Sequence, residues 1–148
     1  MSAHIRPIEA RDHDEWVDLF TAYGVFYETT FTAPQIEAVW GWLMDPKHPH
    51  AAWVAELDGN LVGFGHLRRH SDTFTGGPAW YLDDLYTSPA ARGHGVATGI
   101  IGALRAHADA NGGGTISWIT ADDNLTAQRV YDKIATRARW VTYELTAE

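Results

Sequence analysis

A chain of 148 residues that is 45% hydrophobic and 20% charged has the apolar content for one packed core, and reads as a single domain over residues 1–148. Its formal net charge of −8 argues against the basic face that nucleic-acid binding needs, and favours cationic partners. With no cysteine, disulfides, thiolate metal sites and a thiol nucleophile are excluded, and with no apolar run near the ~18 residues of a membrane span and no apolar leader core, a cytoplasmic protein without membrane contact is expected.

Ile5-Arg6-Pro7-Ile8 reads as a short first strand. Asp12 to about Tyr27 reads as a helix, because Trp16, Leu19, Phe20 and Tyr23 recur at i, i+3, i+4, i+7. Thr32-Ala33-Pro34-Gln35 is a capping box with proline in the first turn, and opens a second helix to about Met44. Ala51 to Leu57 and Leu61 to about Arg69 form a predicted hairpin across Asp58-Gly59-Asn60. After a polar, glycine-rich loop, Trp80 to Thr87 is the next strand. Val96 to about Ala110 is helical, with Val96, Ile100, Ala103, Leu104 and His107 on one face, and Gly112-Gly113-Gly114 stops it. Thr115 to Ala121 is a predicted strand, Leu125 to about Ala135 a helix and Arg139 to Leu145 a last strand. The order βααβββαβαβ implies an α/β (α+β) fold with a mixed central sheet covered by helices on both faces.

The chemistry concentrates after Trp80. The strand Tyr81-Leu82-Asp83-Asp84-Leu85-Tyr86-Thr87 runs into Arg92-Gly93-His94-Gly95-Val96-Ala97, and a helix follows at once. Gly93 and Gly95 permit positive φ, so successive N–H groups can converge on an anion. The helix N-terminus adds unsatisfied donors, and Arg92 a charged one. Arginine stands where a dinucleotide fold would have its first glycine, no acidic residue follows at the required distance, and no Gly-Lys-Ser/Thr occurs, so neither a Rossmann site nor a P-loop fits. The histidines at 48, 50, 66, 70, 94 and 107 lack metal-ligand spacing, and no metal is expected. Strand alternation would send Asp83 and Asp84 to opposite faces unless a bulge intervenes. By position alone Tyr131 is a core residue of an amphipathic helix, and Glu28 an exposed helix end.

Arg92-Gly93-His94-Gly95-Val96-Ala97 resembles the acetyl-CoA loop of the Gcn5-related N-acetyltransferases (the GNAT superfamily). Tyr-Leu-Asp-Asp-Leu-Tyr over 81–86 is similar to a strand of the spermidine/spermine acetyltransferase branch. Trp118-Ile119-Thr120, Asn124, Ala127-Gln128 and Val130-Tyr131-Asp132-Lys133 are similar to the yeast histone and polyamine acetyltransferase subgroup. The resemblance covers nearly the whole chain and is strongest over 79–134. It implies the GNAT fold with this element order, including a bulge in the strand that carries Asp83 and Asp84. It implies an N-acetyltransferase that uses acetyl-CoA as cosubstrate. Leu85, Tyr86, Thr87, Arg92, Gly93, His94, Gly95, Val96, Ala97, Thr98, Asn124 and Ala127 are then expected to hold that cosubstrate. Asp83 and Asp84 are the candidate bases, Asp83 matching the family's base position, and Tyr131 is the candidate general acid. Tyr27 and Glu28 would line the acceptor site. The expected acceptor is the primary amine of a small cationic or amino-acid-like molecule, reached by direct transfer in a ternary complex, and a homodimer is expected. A protein lysine or N-terminal acetyltransferase, and a non-catalytic acyl-CoA-binding domain, are the alternatives. One departure is Ile134-Ala135-Thr136-Arg137, where many relatives continue Leu-Gly-Phe after the tyrosine helix.

Overall fold

In the computed structural model, which describes residues 2–147, the chain forms two compact units, one ending at Trp118 and the other beginning at Ile119. The first unit holds β1 (His4–Pro7), α1 (His13–Phe26), α2 (Ala33–Met44), β2 (His50–Leu57), β3 (Asn60–Ser71), β4 (Pro78–Thr87), α3 (Val96–Ala110) and β5 (Ile116–Ser117). The second holds α4 (Leu125–Ile134). The sheet order is β1-β2-β3-β4-β5, antiparallel up to β4 and parallel between β4 and β5. It is the mixed sheet that the element order implied.

Local chemistry sets the boundaries. α1 buries Trp16, Leu19 and Phe20, three of the four residues whose spacing defined its apolar stripe. α2 opens with the capping box: the Gln35 N–H donates to the Thr32 hydroxyl at 3.3 Å, and the Thr32 N–H to Gln35 Oε1 at 2.9 Å. Leu57 pairs with Asn60 around Asp58 and Gly59 at φ 53° and 81°, the double left-handed geometry of a tight hairpin.

Alternation along β3 assigns the two faces. Phe64 packs on Phe20 and Tyr23 of α1. Gly63 and Gly65 face the other way, toward α3, and a Cβ on Gly65 would meet Ile100 at 2.8 Å. The absent side chains let α3 lie directly on the sheet. Val96, Ile100, Ile101, Leu104 and Ala108 of α3 are buried. His107, predicted on the same stripe, is half-buried edge-on to Trp53 and Trp80.

Two expectations are corrected. β5 spans only Ile116–Ser117 rather than residues 115–121. No strand forms over residues 139–145 among the described residues, and Trp140, Tyr143 and Leu145 stand 80%, 91% and 98% exposed. Apolar, β-prone composition records a preference for pairing and does not supply a partner strand.

Candidate active site

The carboxylate pair owes its geometry to one extra residue. Gly65 pairs with Leu85 and His66 with Asp84, but Leu67 pairs with Leu82. Asp83 is the residue left over, a β-bulge. Leu82 and Leu85 lie beside Gly65 under α3, whereas Asp83 and Asp84 both reach side chains on the α1 face. Strict alternation is broken at Asp83, as the resemblance implied, and the two carboxylates share one face.

Their surroundings differ. Arg68 grips Asp83 with two bonds, Nε to Oδ2 at 3.1 Å and Nη2 to Oδ1 at 3.2 Å. His50 Nε2 lies 2.9 Å from the same Oδ2. Burial pushes the His50 imidazole down despite that carboxylate, so the neutral ring donates through Nε2. Its Nδ1 is buried without a partner among the described residues. The rings of His48 and Trp42 stack in parallel with centroids 5.3 Å apart, and both lie tilted against His50.

Asp84 instead meets His66, whose Nδ1 lies 2.9 Å from Oδ2. Burial opposes the Asp84 charge, but donation from His66 and Tyr23 outweighs it and holds the carboxyl below its ordinary value. Burial, and then the Asp84 charge, push the Tyr23 phenol up, so its hydroxyl stays protonated. Tyr23 also stands edge-on to Tyr27 at 5.0 Å.

Tyr27 and Glu28 end α1, and both are exposed. The Thr29 N–H donates to the Gly24 carbonyl at 2.8 Å and the Glu28 N–H to the Val25 carbonyl at 2.9 Å. That is a Schellman ending, and its left-handed position, where glycine is usual, is held by Glu28 at φ 58°. Tyr27 is therefore in contact with a carboxylate neighbour, Tyr23, whereas Glu28 is at the adjoining rim with no recorded side-chain partner among the described residues.

Beyond Tyr81 the second edge of β4 is open: β5 pairs only with Trp80 and Tyr81. Leu85, Tyr86 and Thr87 thus pair with β3 on one side and present main-chain groups on the other. The chain then turns through Pro89–Ala91 into Gly93 at φ 85° and Gly95 at φ 73°. Gly95 is the N-cap of α3 and no side chain caps the helix, so the first-turn N–H groups of Val96, Ala97 and Thr98 have no capping acceptor. A Cβ on either glycine would meet nothing within 4 Å, which leaves room for an anion at the loop. His94 is exposed. Arg92 Nε donates to the Thr87 carbonyl at 3.3 Å, and its guanidinium lies over Phe26 at 5.7 Å; it closes the loop onto β4 as well as carrying a charge.

In the second unit Asn124 is the N-cap of α4, its Oδ1 accepting from the Ala127 N–H at 3.2 Å. Tyr131 follows two turns later, half-buried. Gln128 ties the preceding loop to the helix through the Ala121 and Asp122 carbonyls.

Sequence reasoning missed three members of the first unit's cluster. Tyr23 was a core position, although a tyrosine on an apolar stripe does carry a hydroxyl that needs a partner. His50 was one of six scattered histidines. His66 was another of them, yet it is 1% exposed and stands behind Asp84, while His70 is exposed and turns to the Ser71 carbonyl.

A model of the acetyltransferase (GNAT) family matches residues 14–135. The chain is 28% identical over 142 residues to the D-amino-acid N-acetyltransferase HPA3 of Saccharomyces cerevisiae (strain ATCC 204508 / S288c), covering 95% of this chain and 88% of that protein. Its fold is similar to that of a ribosomal-protein-alanine N-acetyltransferase from Brucella melitensis biovar Abortus 2308, with TM-score 0.84 and 24% identity over 99% of this chain and 100% of that one. It is also similar to AAC(6')-Iy in complex with the bisubstrate analog CoA-S-monomethyl-acetylneamine, with TM-score 0.84 and 20% identity over 99% and 100% of the two chains. At those identities the two solved structures speak for the fold.

Proposed function

The chain belongs to the acetyltransferase (GNAT) family, and we propose that it transfers acetyl from acetyl-CoA directly to the primary amine of a small cationic or amino-acid-like acceptor in a ternary complex. The observation that carries this reading is the bulge at Asp83, which gathers two carboxylates on one face of the strand whose end leads into the uncapped start of α3. The yeast relative is by name a D-amino-acid N-acetyltransferase, in keeping with an amino-acid-like acceptor. The AAC(6')-Iy neighbour holds a CoA-containing analog on the same fold, in keeping with acetyl-CoA as cosubstrate.

Bound acetyl-CoA supplies the activated thioester. The N–H groups over 93–98, with Arg92, take its pyrophosphate, and the main chain of Leu85, Tyr86 and Thr87 runs along its pantetheine arm. Asn124 keeps its amide N–H2 for the same arm, beside Ala127. Asp84 removes one proton from the acceptor's ammonium group, which frees the nitrogen lone pair. As the C–N bond forms and the C–S bond breaks, the Tyr131 hydroxyl gives its proton to the departing sulfur. Asp83, already bonded on both oxygens, shapes the site and adds negative charge. Glu28 and Tyr27 meet the far end of the acceptor. The reading needs no metal, nucleic acid or membrane, and the working form is a cytoplasmic homodimer.

The test is an acceptor screen that follows CoA release with spermidine, D-lysine, kanamycin and a basic peptide. Small amines turning over faster than the peptide is the expected result. Preference for the peptide would make the protein a protein acetyltransferase. Acetyl-CoA binding without release on any acceptor would make it a binding domain.

A further inference from the structure

Behind Asp84 lies a hydrogen-bonded line that runs into the core. The Trp16 indole Nε1–H donates to His66 Nε2 at 3.0 Å. His66 Nδ1 in turn lies 2.9 Å from Asp84 Oδ2. Trp16 is 0% exposed and His66 1%. An indole nitrogen only donates. His66 Nε2 must therefore accept, and the ring proton resides on Nδ1, where it is donated to the carboxylate. The tautomer is set by a partner that cannot exchange roles.

We propose that Trp16 and His66 are positioning residues that lock Asp84, rather than Asp83, as the carboxylate that takes the acceptor's proton. This rests on the acetyltransferase reading of the site. Asp83 has its Oδ1 on Arg68 and its Oδ2 on Arg68 and His50. Asp84 is held on Oδ2 by His66 and is also bonded by the Tyr23 hydroxyl, and the two donors together fix the carboxylate plane. The order of groups is the reverse of a serine-protease triad, where histidine meets the substrate and the carboxylate stands behind. Here the histidine ends the line. A second proton on Nε2 would oppose two N–H groups in a dry interior, so His66 cannot shuttle. A proton that Asp84 takes from the ammonium group passes on to solvent rather than inward.

The titratable groups around Asp84 are Asp83 on β4, Tyr23 on α1, and Arg68 and His50 on the neighbouring strands. Those packed on His66 from α1 and β3 are Trp16, Phe20 and Phe64, none of which titrates.

Three measurements test the lock. Imidazole ¹⁵N spectra of the ligand-free wild type are expected to show His66 in the Nδ1–H form. In Trp16→Phe, which keeps a ring and removes the donor, the Nε2–H form is expected to appear beside it, and kcat for the amine to fall with KM for acetyl-CoA unmoved. His66→Leu is expected to lower kcat by about tenfold or more, with KM for acetyl-CoA unmoved. His66→Asn, whose amide can replace Nδ1–H, is expected to restore most of that loss. A wild-type His66 that carries its proton on Nε2 overturns the proposal, even if no variant folds. Equal kcat in His66→Leu and His66→Asn overturns it as well. Failure of the wild type to release CoA with any amine overturns the acetyltransferase reading instead, and leaves the spectra to decide the tautomer.

Discussion

At Tyr131 one oxygen separates a catalyst from a packing ring. Tyr131→Phe keeps the ring on α4 and removes the proton donor proposed for the thiolate. The expected result is a fall in kcat of about 10²-fold with acetyl-CoA affinity unchanged. Full activity would assign the proton to solvent. Glu28 poses the complementary case, since it occupies the left-handed end of α1 at φ 58° without the freedom of glycine. Glu28→Gly should raise stability by about 1 kcal/mol in urea unfolding, because a side chain at that φ carries strain. The same change should raise KM for a cationic amine and leave KM for acetyl-CoA alone; an unmoved amine KM would make Glu28 only a helix end. Asp83, Asp84, Tyr27 and Glu28 were legible in the sequence as candidates, yet the division of labour between the carboxylates was not. It depends on Trp16, His66 and Arg68, which lie 15 to 68 positions from the aspartates along the chain, roughly, and meet them only through sheet register.

The strand-loop-helix element at 85–98 was the most readable part, because its chemistry is local. Gly93 and Gly95 take the left-handed conformations that the motif demands. Gly95→Val should weaken acetyl-CoA binding by at least about tenfold in calorimetry, because a β-branched residue resists that φ. Gly95→Ala should fall between, since the space itself is open; a wild-type affinity in Gly95→Val would take the pyrophosphate away from this loop. The join of β1 to α1 was not legible. Arg6 donates to both Asp12 oxygens, at 2.7 and 2.9 Å, and that bond, against the cost of burial, holds the Asp12 carboxyl below its ordinary value. A depressed folded pKa contributes stability above the unfolded value and loses it as pH falls through the folded one. The Asp12 contribution should therefore be level down to about pH 4 and drop below it, with Asp84 acting in the same direction. Asp12→Asn should cost about 2 kcal/mol at neutral pH and flatten the acid limb of urea midpoint against pH.

For the molecule as a whole, sequence periodicity yields the order of elements up to α4 and then overreaches. The residues Trp140-Val141-Thr142-Tyr143-Glu144-Leu145 have strand composition, but within one chain they form no strand among the described residues. An exposed apolar segment of that kind is an association surface. Sedimentation equilibrium at micromolar concentration should give twice the 16.4 kDa chain mass. The double variant Tyr143→Lys, Leu145→Lys should give the single mass while keeping the α-helical and sheet signature of the first unit. A wild type that sediments as one chain removes the homodimer.

Side-chain direction in a strand is a matter of odd and even, and Asp83 is a spare count in β4. Remove it, and Leu82 would still face α3, Asp84 would still stand opposite His66, and Leu85 and Tyr86 would keep their sides; the ladder would merely become regular. Removing a residue at a flat position would instead exchange the two faces for everything beyond the cut. The second carboxylate is therefore a detachable unit of information. One codon adds or deletes a negative charge beside Asp84 while the address of every other side chain in the strand is preserved, so a descendant of this chain can change the charge on that face without first rebuilding the sheet.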